Sequence, residues 1–386
     1  MMDSPSSTGL DPTDIVLWCD ETLPALYNPG LFDDEETTDE VWVSVTTAIN
    51  SIADGPETVE LLMDAAADWF RQQRELELDA LFPLPEESIA VFMTGPQTMQ
   101  HSADWYAERR NRLTASEFSH ILTGSRERLL KTKLETGPPH VFSQTTVALA
   151  QLDGEMVATS WGHRFESVVR DIYECETAGT GNVCDTLGRF THRDYSWLSA
   201  SPDGIVVSGP LAGRLLEIKA PKTRQPDTYV PFEYYVQMQV QMEVCDLEAV
   251  DFVEAQFRQA LVYSIHGQPE PFPEAEIAAA RWKGCIAVYG HLEEPSTWVY
   301  RYAPPAQKLE DCLPAAVVPN LPLLESSVWW LAENAWFPRT VLRNPTWWQE
   351  KGQPAAELFW AEVQSRRELA IASTAEEVIQ WLGSTN

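Results

Sequence analysis

The chain has 386 residues, 44% of them hydrophobic, enough to bury a sizeable core as one large domain or two. Its net charge of −31 excludes a protein that binds nucleic acid through bulk electrostatics. No run of about 18 apolar residues occurs, so no membrane helix is expected.

Six scattered cysteines, Cys19, Cys175, Cys184, Cys245, Cys285 and Cys312, form no C-x-x-C pair. Neither a zinc ribbon nor an iron–sulfur cluster is signalled, and free thiols in a reducing intracellular compartment, cytoplasm or nucleus, are expected. The opening MMDSPSSTGLDPTD has no basic and no apolar region, so no secretory signal is expected. The charge is uneven. Residues 1–100 contain only Arg71 and Arg74 as basic side chains, whereas residues 101–260 hold most of the Lys and Arg. A polyanion would meet the middle of the chain.

Residues 1 to about 56 are acidic and turn-rich, with a short packed segment around Trp42, Val45 and Ile49, and read as a solvated extension. Residues 57–81 read as an amphipathic helix, with Val59, Leu62, Met63, Ala66 and Phe70 at helical spacing and Pro83 and Pro85 ending it. Successive helices are expected over 100–134. Trp105, Arg109 and Arg112 can share a face there, and Thr114 or Ser116 can cap a new helix. A helix N-terminus beside an arginine suits a phosphate, although a surface arginine and an ordinary cap read equally from the spacing. Residues 125–155 are less regular and read as a loop or a cover. Residues 159–178 read as a helix whose apolar face holds Trp161, Phe165, Val168, Val169, Ile172 and Tyr173, with Glu166 beside that face.

Extended segments over 182–200 lead into the most informative stretch. Ser201-Pro202-Asp203-Gly204 is a tight turn with a carboxylate, and Ile205–Val207 is a short apolar run. A Gly/Pro-rich turn follows, and a second run carries Glu217 and Lys219, so the whole reads as a β-hairpin. Side chains alternate on a strand, so Glu217 and Lys219 share one face and Ile218 points to the other. Two carboxylates and an amine at a hairpin end suit a hard divalent cation, and equally suit a surface salt bridge. Residues 231–246 read as a helix on which Gln237 and Gln241 share a side and Gln239 lies roughly opposite. Ala249–Phe257 and Leu261–Ile265 read as strands. Beyond residue 270 the expectation is mainly helical: Pro273–Cys285, Leu323–Asn334, and Ala355–Leu369 with a short helix to Leu382.

These pieces in this order resemble the PD-(D/E)XK nuclease superfamily, and within it the phage lambda exonuclease and YqaJ-type viral recombinase family. The resemblance rests on Trp105-x-x-x-Arg109 with Leu113-Thr114-Ala115-Ser116, Trp161-Gly162-x-x-x-Glu166, and Ser201-Pro202-Asp203-Gly204. It continues through Leu216-Glu217-Ile218-Lys219-Ala220-Pro221 and Tyr234-x-x-Gln237-x-Gln239. It implies an α/β (α+β) fold with a restriction-endonuclease-like core, a central mixed β-sheet flanked by helices. The division expected is an acidic, partly helical N-terminal extension over 1–98, a nuclease core over 99–268, and a mainly helical C-terminal extension over 269–386 packed on the core.

The resemblance also implies roles. Glu166, Asp203, Glu217 and the Ile218 carbonyl would hold Mg²⁺, with Mn²⁺ as a substitute. Lys219 would orient or deprotonate the attacking water, with Gln239, or as second choice Gln237, steadying it. Arg109 and Ser116 would receive a 5′ phosphate. The implied activity is DNA hydrolysis, a 5′→3′ exonuclease of recombination, repair or viral genome processing acting on linear duplex ends. The alternatives are a structure-specific endonuclease on the same core or a non-catalytic DNA-binding recombination scaffold. A single-strand annealing protein and a homo-oligomer are the further partners implied.

Overall fold

The computed structural model describes residues 12–27, 35–53, 55–100, 102–135, 158–179, 181–226, 229–265, 271–294, 297–312 and 314–384. Most of the acidic start that is described is helical. Helices α1 (Pro12–Thr22), α2 (Glu35–Asn50) and α3 (Pro56–Leu81) pack together through Leu23, Val45, Ile49, Leu62, Ala66 and Phe70. Apolar residues three and four apart make one buried stripe on each helix, and the many acids take the outer faces. Helices α4 (Glu86–Thr94), α5 (Ala103–Glu108), α6 (Ala115–Leu122) and α7 (Arg126–Leu134) follow. The part of the expected loop or cover beyond Glu135, up to residue 157, lies outside the described residues. Among the described residues no helix is long and apolar enough to cross a membrane.

The architecture is a mixed α/β fold built on two sheets. A three-stranded sheet joins β1 (Leu113–Thr114), β3 (Phe190–Thr191) and β4 (Leu198–Ala200), with β4 in the middle. The main sheet has seven strands: β2 (Val183–Cys184), β5 (Gly204–Val206), β6 (Leu215–Lys219), β7 (Ala249–Ser264), β8 (Lys283–Tyr289), β9 (Val299–Tyr302) and β10 (Leu323–Leu342). Their spatial order is β2-β5-β6-β7-β10-β8-β9, and within it β6 and β7 run parallel and the other neighbours antiparallel. The hairpin read from the sequence is present, with Gly204 opposite Leu216. Gly213 turns its chain at φ 99°, and a Cβ there would fall 2.4 Å from Leu84, so only glycine serves.

Helices cover both faces of the main sheet. Helix α8 (Ala158–Tyr173) lays Trp161, Phe165, Val169 and Ile172 against Leu216, Ile218, Val253 and Phe257. On the other face, α9 (Phe232–Cys245) packs on Leu215, Val250 and Phe252. The alternation along β6 and β7 sends successive residues to different cores.

The C-terminal third departs from the helical expectation. Pro273–Cys285 splits into a short helix, α10 (Glu274–Ala279), and the start of β8, and Leu323–Asn334 lies in the 20-residue strand β10 between β7 and β8. Thus the segment read as a helical extension supplies three strands of the main sheet. The reason is burial on both faces: Trp329 and Leu331 enter the α8 core, while Val328 and Trp330 pack with Ile277 and Ala260. A strand covered on both sides reads as a continuous apolar run, which periodicity does not separate from a buried helix. Ala249–Ser264 is likewise one strand where two were read, and Gln353–Ser384 is one helix, α11.

The added strands also hold the helix that carries Glu166. Arg164 of α8 is buried and donates to Ser327 at 2.8 Å and to the buried Glu325 of β10. Breaking a buried ion pair on one side leaves an uncompensated charge. Glu325→Ala is therefore expected to destabilise the fold by about 3–5 kcal/mol, read as a lower urea midpoint; an unchanged midpoint would separate β10 from the stability of α8.

Candidate functional site

The site forms where the main sheet runs out of strand. β5 begins at Gly204, opposite Leu216, so β6 has no β5 partner beside Glu217, Ile218 and Lys219. Backbone groups left at such an edge need other partners. The Ile218 N–H finds one in the Asp203 carboxylate, at 2.8 Å. The Ile218 carbonyl leaves the strand on the same side as its N–H, and so faces the same opening. Residues from both sheet faces meet there. Glu166 approaches from α8, Asp203 from the turn before β5, Glu217 and Lys219 from β6, and Gln237 and Gln241 from α9. They line a cavity of about 210 Å³ that adjoins a wider one of about 580 Å³ beside Lys222, Arg224 and Tyr234.

Glu217 is 1% exposed. Its Oε1 accepts from Gln237 Nε2 at 2.7 Å and from Lys219 Nζ, and its Oε2 accepts from Gln241 Nε2 at 2.6 Å. The Lys219 ammonium also sits 5.0 Å over the Tyr234 ring. Burial works against that ammonium, but Glu217 and Asp203 outweigh it and hold Lys219 above its ordinary value. For Asp203 burial acts first, and Glu217 and Glu166 add to it, pushing the carboxyl well above the usual range. Glu166 is half exposed and lies 3.7 Å from His163 Nδ1.

The salt bridge read as the plain alternative for Glu217 and Lys219 therefore exists, and it lies in a buried cluster with a third and a fourth acid-site partner around it. The donor set is oxygen-rich and anionic, with three carboxylates and a backbone carbonyl, which suits a hard divalent cation. Burial raises Asp203 most, and the repulsion from Glu217 and Glu166 that adds to it is what a bound cation would relieve. As the side chains stand, no three His, Cys, Asp or Glu among the described residues are gathered tightly enough to hold an ion.

Gln239, the first choice for steadying the water, is not at the site. It faces the other way, donating to the Leu342 carbonyl at 2.8 Å and accepting from the Asn344 N–H at 2.7 Å. Gln237, the second choice, is at the site, and so is Gln241, which the sequence reading placed on the same side without giving it a role. The apolar pattern could not separate the two sides, because every residue from Tyr235 to Met242 is buried. Sequence spacing alone does group Gln237 with Gln241, and that pairing was the available signal.

The other wall of the smaller cavity is basic. Thr114 caps α6, and its N–H and hydroxyl both donate to Glu117 Oε2, at 3.2 and 2.7 Å. Buried Lys133 also reaches Glu117, at 2.8 Å, and Arg109 Nε lies 3.3 Å from its other oxygen. Burial pushes Glu117 up, but Lys133 and Arg109 outweigh it and hold the carboxyl below its ordinary value. Arg109 and Ser116 thus line the same cavity as the carboxylates. Sequence reasoning missed Arg189, a second arginine of this cavity, which came to notice only as one of many basic residues in the middle of the chain.

Gln239→Leu would leave the Leu342 carbonyl and the Asn344 N–H without their partner. It is expected to cost about 1–3 kcal/mol of stability, measured by urea unfolding, and an unchanged midpoint would show that Gln239 is not an anchor between α9 and the end of β10.

The YqaJ-like viral recombinase domain matches residues 104–248. No curated protein matches the chain significantly. Among solved structures the chain is similar to an alkaline exonuclease, LHK-Exo, from Laribacter hongkongensis, at 19% identity over 71% of this chain and 99% of that one, with a TM-score of 0.40. The same protein in complex with dAMP is similar at 19% identity over 71% of this chain and 99% of that one, with a TM-score of 0.39. The Shutoff and Exonuclease Protein from Kaposi's sarcoma-associated herpesvirus is similar at 9% identity over 94% of this chain and 87% of that one, with a TM-score of 0.28. At such identities and scores these likenesses carry no argument, and the assignment rests on the domain match. Residues 104–248, which hold the three carboxylates, Lys219 and the arginine–serine wall, thus carry the match to the YqaJ-like viral recombinase domain.

Proposed function

We propose that the chain is a metal-dependent deoxyribonuclease that degrades linear duplex DNA from 5′-phosphorylated ends, in the 5′→3′ direction. One observation carries this reading. Glu166, Asp203, Glu217 and Lys219 come from three separate segments of the matched domain into one cavity whose facing wall presents Arg109 and Ser116. Acids that would hold a cation and a wall that would hold a phosphate thus stand together in a protein that is otherwise strongly acidic.

Glu166, Asp203, Glu217 and the Ile218 carbonyl would hold Mg²⁺, and Mn²⁺ in its place. When bound, the ion supplies a Lewis acid that neutralises charge on the scissile phosphate and lowers the pKa of water. The chain's own residues do the rest. Lys219, fixed between Glu217 and Tyr234, orients the attacking water. Gln237 and Gln241 hold the Glu217 carboxylate in place, which settles where Lys219 points. Arg109 and Ser116 receive the terminal phosphate and set the distance from the end to the scissile bond.

Linear 5′-phosphorylated duplex incubated with the protein and Mg²⁺ is expected to release nucleotides, with a 5′ label leaving first. Chelation should stop release and added Mg²⁺ restore it. Lys219→Ala should lower the rate about 10²–10⁴-fold, and Asp203→Asn or Glu217→Gln should abolish it. No release with either ion, or a Lys219→Ala protein equal to wild type, would overturn the proposal. Cutting of covalently closed circles would instead identify an endonuclease.

A further inference from the structure

Arg189 is 2% exposed, yet none of its three guanidinium nitrogens has a hydrogen-bond partner among the described residues. That is an unusual state for a group with five N–H donors, and one that costs free energy. The side chain is held there deliberately. Its backbone pairs with Thr98 through two hydrogen bonds, of 3.1 and 2.7 Å. The preceding Gly188 donates to Gln97 at 2.7 Å, and a Cβ on Gly188 would fall 2.6 Å from the Thr98 carbonyl oxygen. The guanidinium stacks on Trp105 at 4.6 Å, and it lines the cavity with Arg109 and Ser116.

The nearest acid is Glu108, at 3.6 Å, beyond hydrogen-bonding distance. Glu108 is shared: Arg112 lies 3.4 Å from it, and the Thr98 hydroxyl donates to it at 3.2 Å. On this side four cations, Arg109, Arg112, Lys133 and Arg189, share two carboxylates, Glu108 and Glu117, and of the four Arg109 and Arg189 line the cavity itself. Burial pushes Arg189 down to about 10, with Arg112 and Arg109 adding to the shift and Glu108 opposing it. Counted apart from Glu166, Asp203, Glu217 and Lys219 across the cavity, this side carries an excess of two positive charges, close to the roughly −1.5 to −2 that a phosphate monoester carries at neutral pH.

We propose that Arg189 is the specificity residue of this pocket, supplying the unsatisfied donors that read the second negative charge of a terminal phosphate monoester and so favour phosphorylated over hydroxyl ends. The inference rests on the reading of the cavity as a DNA-end site. A phosphodiester within a strand carries one charge and would leave the wall undercompensated, whereas a monoester dianion meets it in full. Arg is suited to the task because its planar fork offers paired donors to phosphate oxygens.

The test is binding by the full chain with metal chelated, so that no turnover occurs, using one duplex ending in a 5′ phosphate and the same duplex ending in a 5′ hydroxyl. Wild type should prefer the phosphorylated end by roughly 10- to 100-fold. Arg189→Met, which keeps the stacking volume on Trp105, should bring that ratio close to unity, and Arg189→Lys should keep part of it. Inorganic phosphate should raise the melting temperature of wild type and not of Arg189→Met. Without phosphate, Arg189→Met should melt no lower than wild type, since an unsatisfied buried cation has been removed. A variant that melts lower while keeping the wild-type ratio would make Arg189 a structural cation and overturn the proposal. If Arg189→Met does not fold, an Arg189→Lys protein with an undiminished ratio and phosphate response overturns it equally. Competition by a deoxynucleoside 5′-monophosphate as strong as that by the duplex end would overturn the assignment to a strand terminus in favour of a released mononucleotide. A protein that cuts linear DNA but binds both ends alike overturns the Arg189 assignment and leaves the nuclease reading standing. One that discriminates ends and never cuts does the reverse.

Discussion

A carboxylate buried at the edge of a sheet must be surrounded by donors, and Glu217 sets that requirement for this protein. Three donors meet it, from Lys219 on the same strand and from Gln237 and Gln241 on the helix behind. The cluster fixes the rotation of α9 against the sheet, because only one side of that helix carries two amides one turn apart. It also fixes Lys219, whose ammonium is caught between Glu217 and the Tyr234 ring. In a low-dielectric interior the members of such a network are coupled, so losing one donor to Glu217 disturbs the others, even though Gln241 Oε1 has no hydrogen-bond partner among the described residues.

The site exists because the sheet is asymmetric. β7 and β10 are 16 and 20 residues long, while β5 has three and begins only at Gly204. Long central strands make a rigid floor, and the late start of β5 leaves a gap at its edge. Glu166 from one face and the glutamines from the other can then reach the same cavity. An equally long β5 would have paired with Ile218 and closed it. The C-terminal strands matter for this reason: β10 lies beside β7, and Glu325 and Ser327 on it hold Arg164, two residues from Glu166.

Charge is divided between the two ends of the sheet. The acidic helical unit reaches the core near the start of β6 and β7, where Leu78, Leu81 and Leu84 pack against Ala249 and Leu342. The cavity lies beyond the other end of β6 and is lined by Arg109 and Arg189, while Arg112 and Lys133 pair with the neighbouring acids Glu108 and Glu117. A net charge of −31 therefore coexists with a locally basic wall. With screening over about 8–10 Å at ordinary ionic strength, the local wall governs what enters the cavity more than the distant acids do.

Much of the site was legible because local rules govern it. Strand alternation puts Glu217 and Lys219 on one face and Ile218 on the other whatever the fold, a glycine-rich turn makes the hairpin, and an apolar stripe makes the helix with Glu166. Other features answer to tertiary packing alone. Gln239 and Gln241 differ only in which neighbour each meets, and burial around the whole of α9 erased the pattern that would have told them apart. β10 read as a helix because residues covered on both faces lose their period. Arg189 carried no motif, since its meaning lies in what fails to surround it. Local geometry follows from residue order, but which buried polar groups find partners is decided by the arrangement of distant segments, and that arrangement exists only in the folded chain.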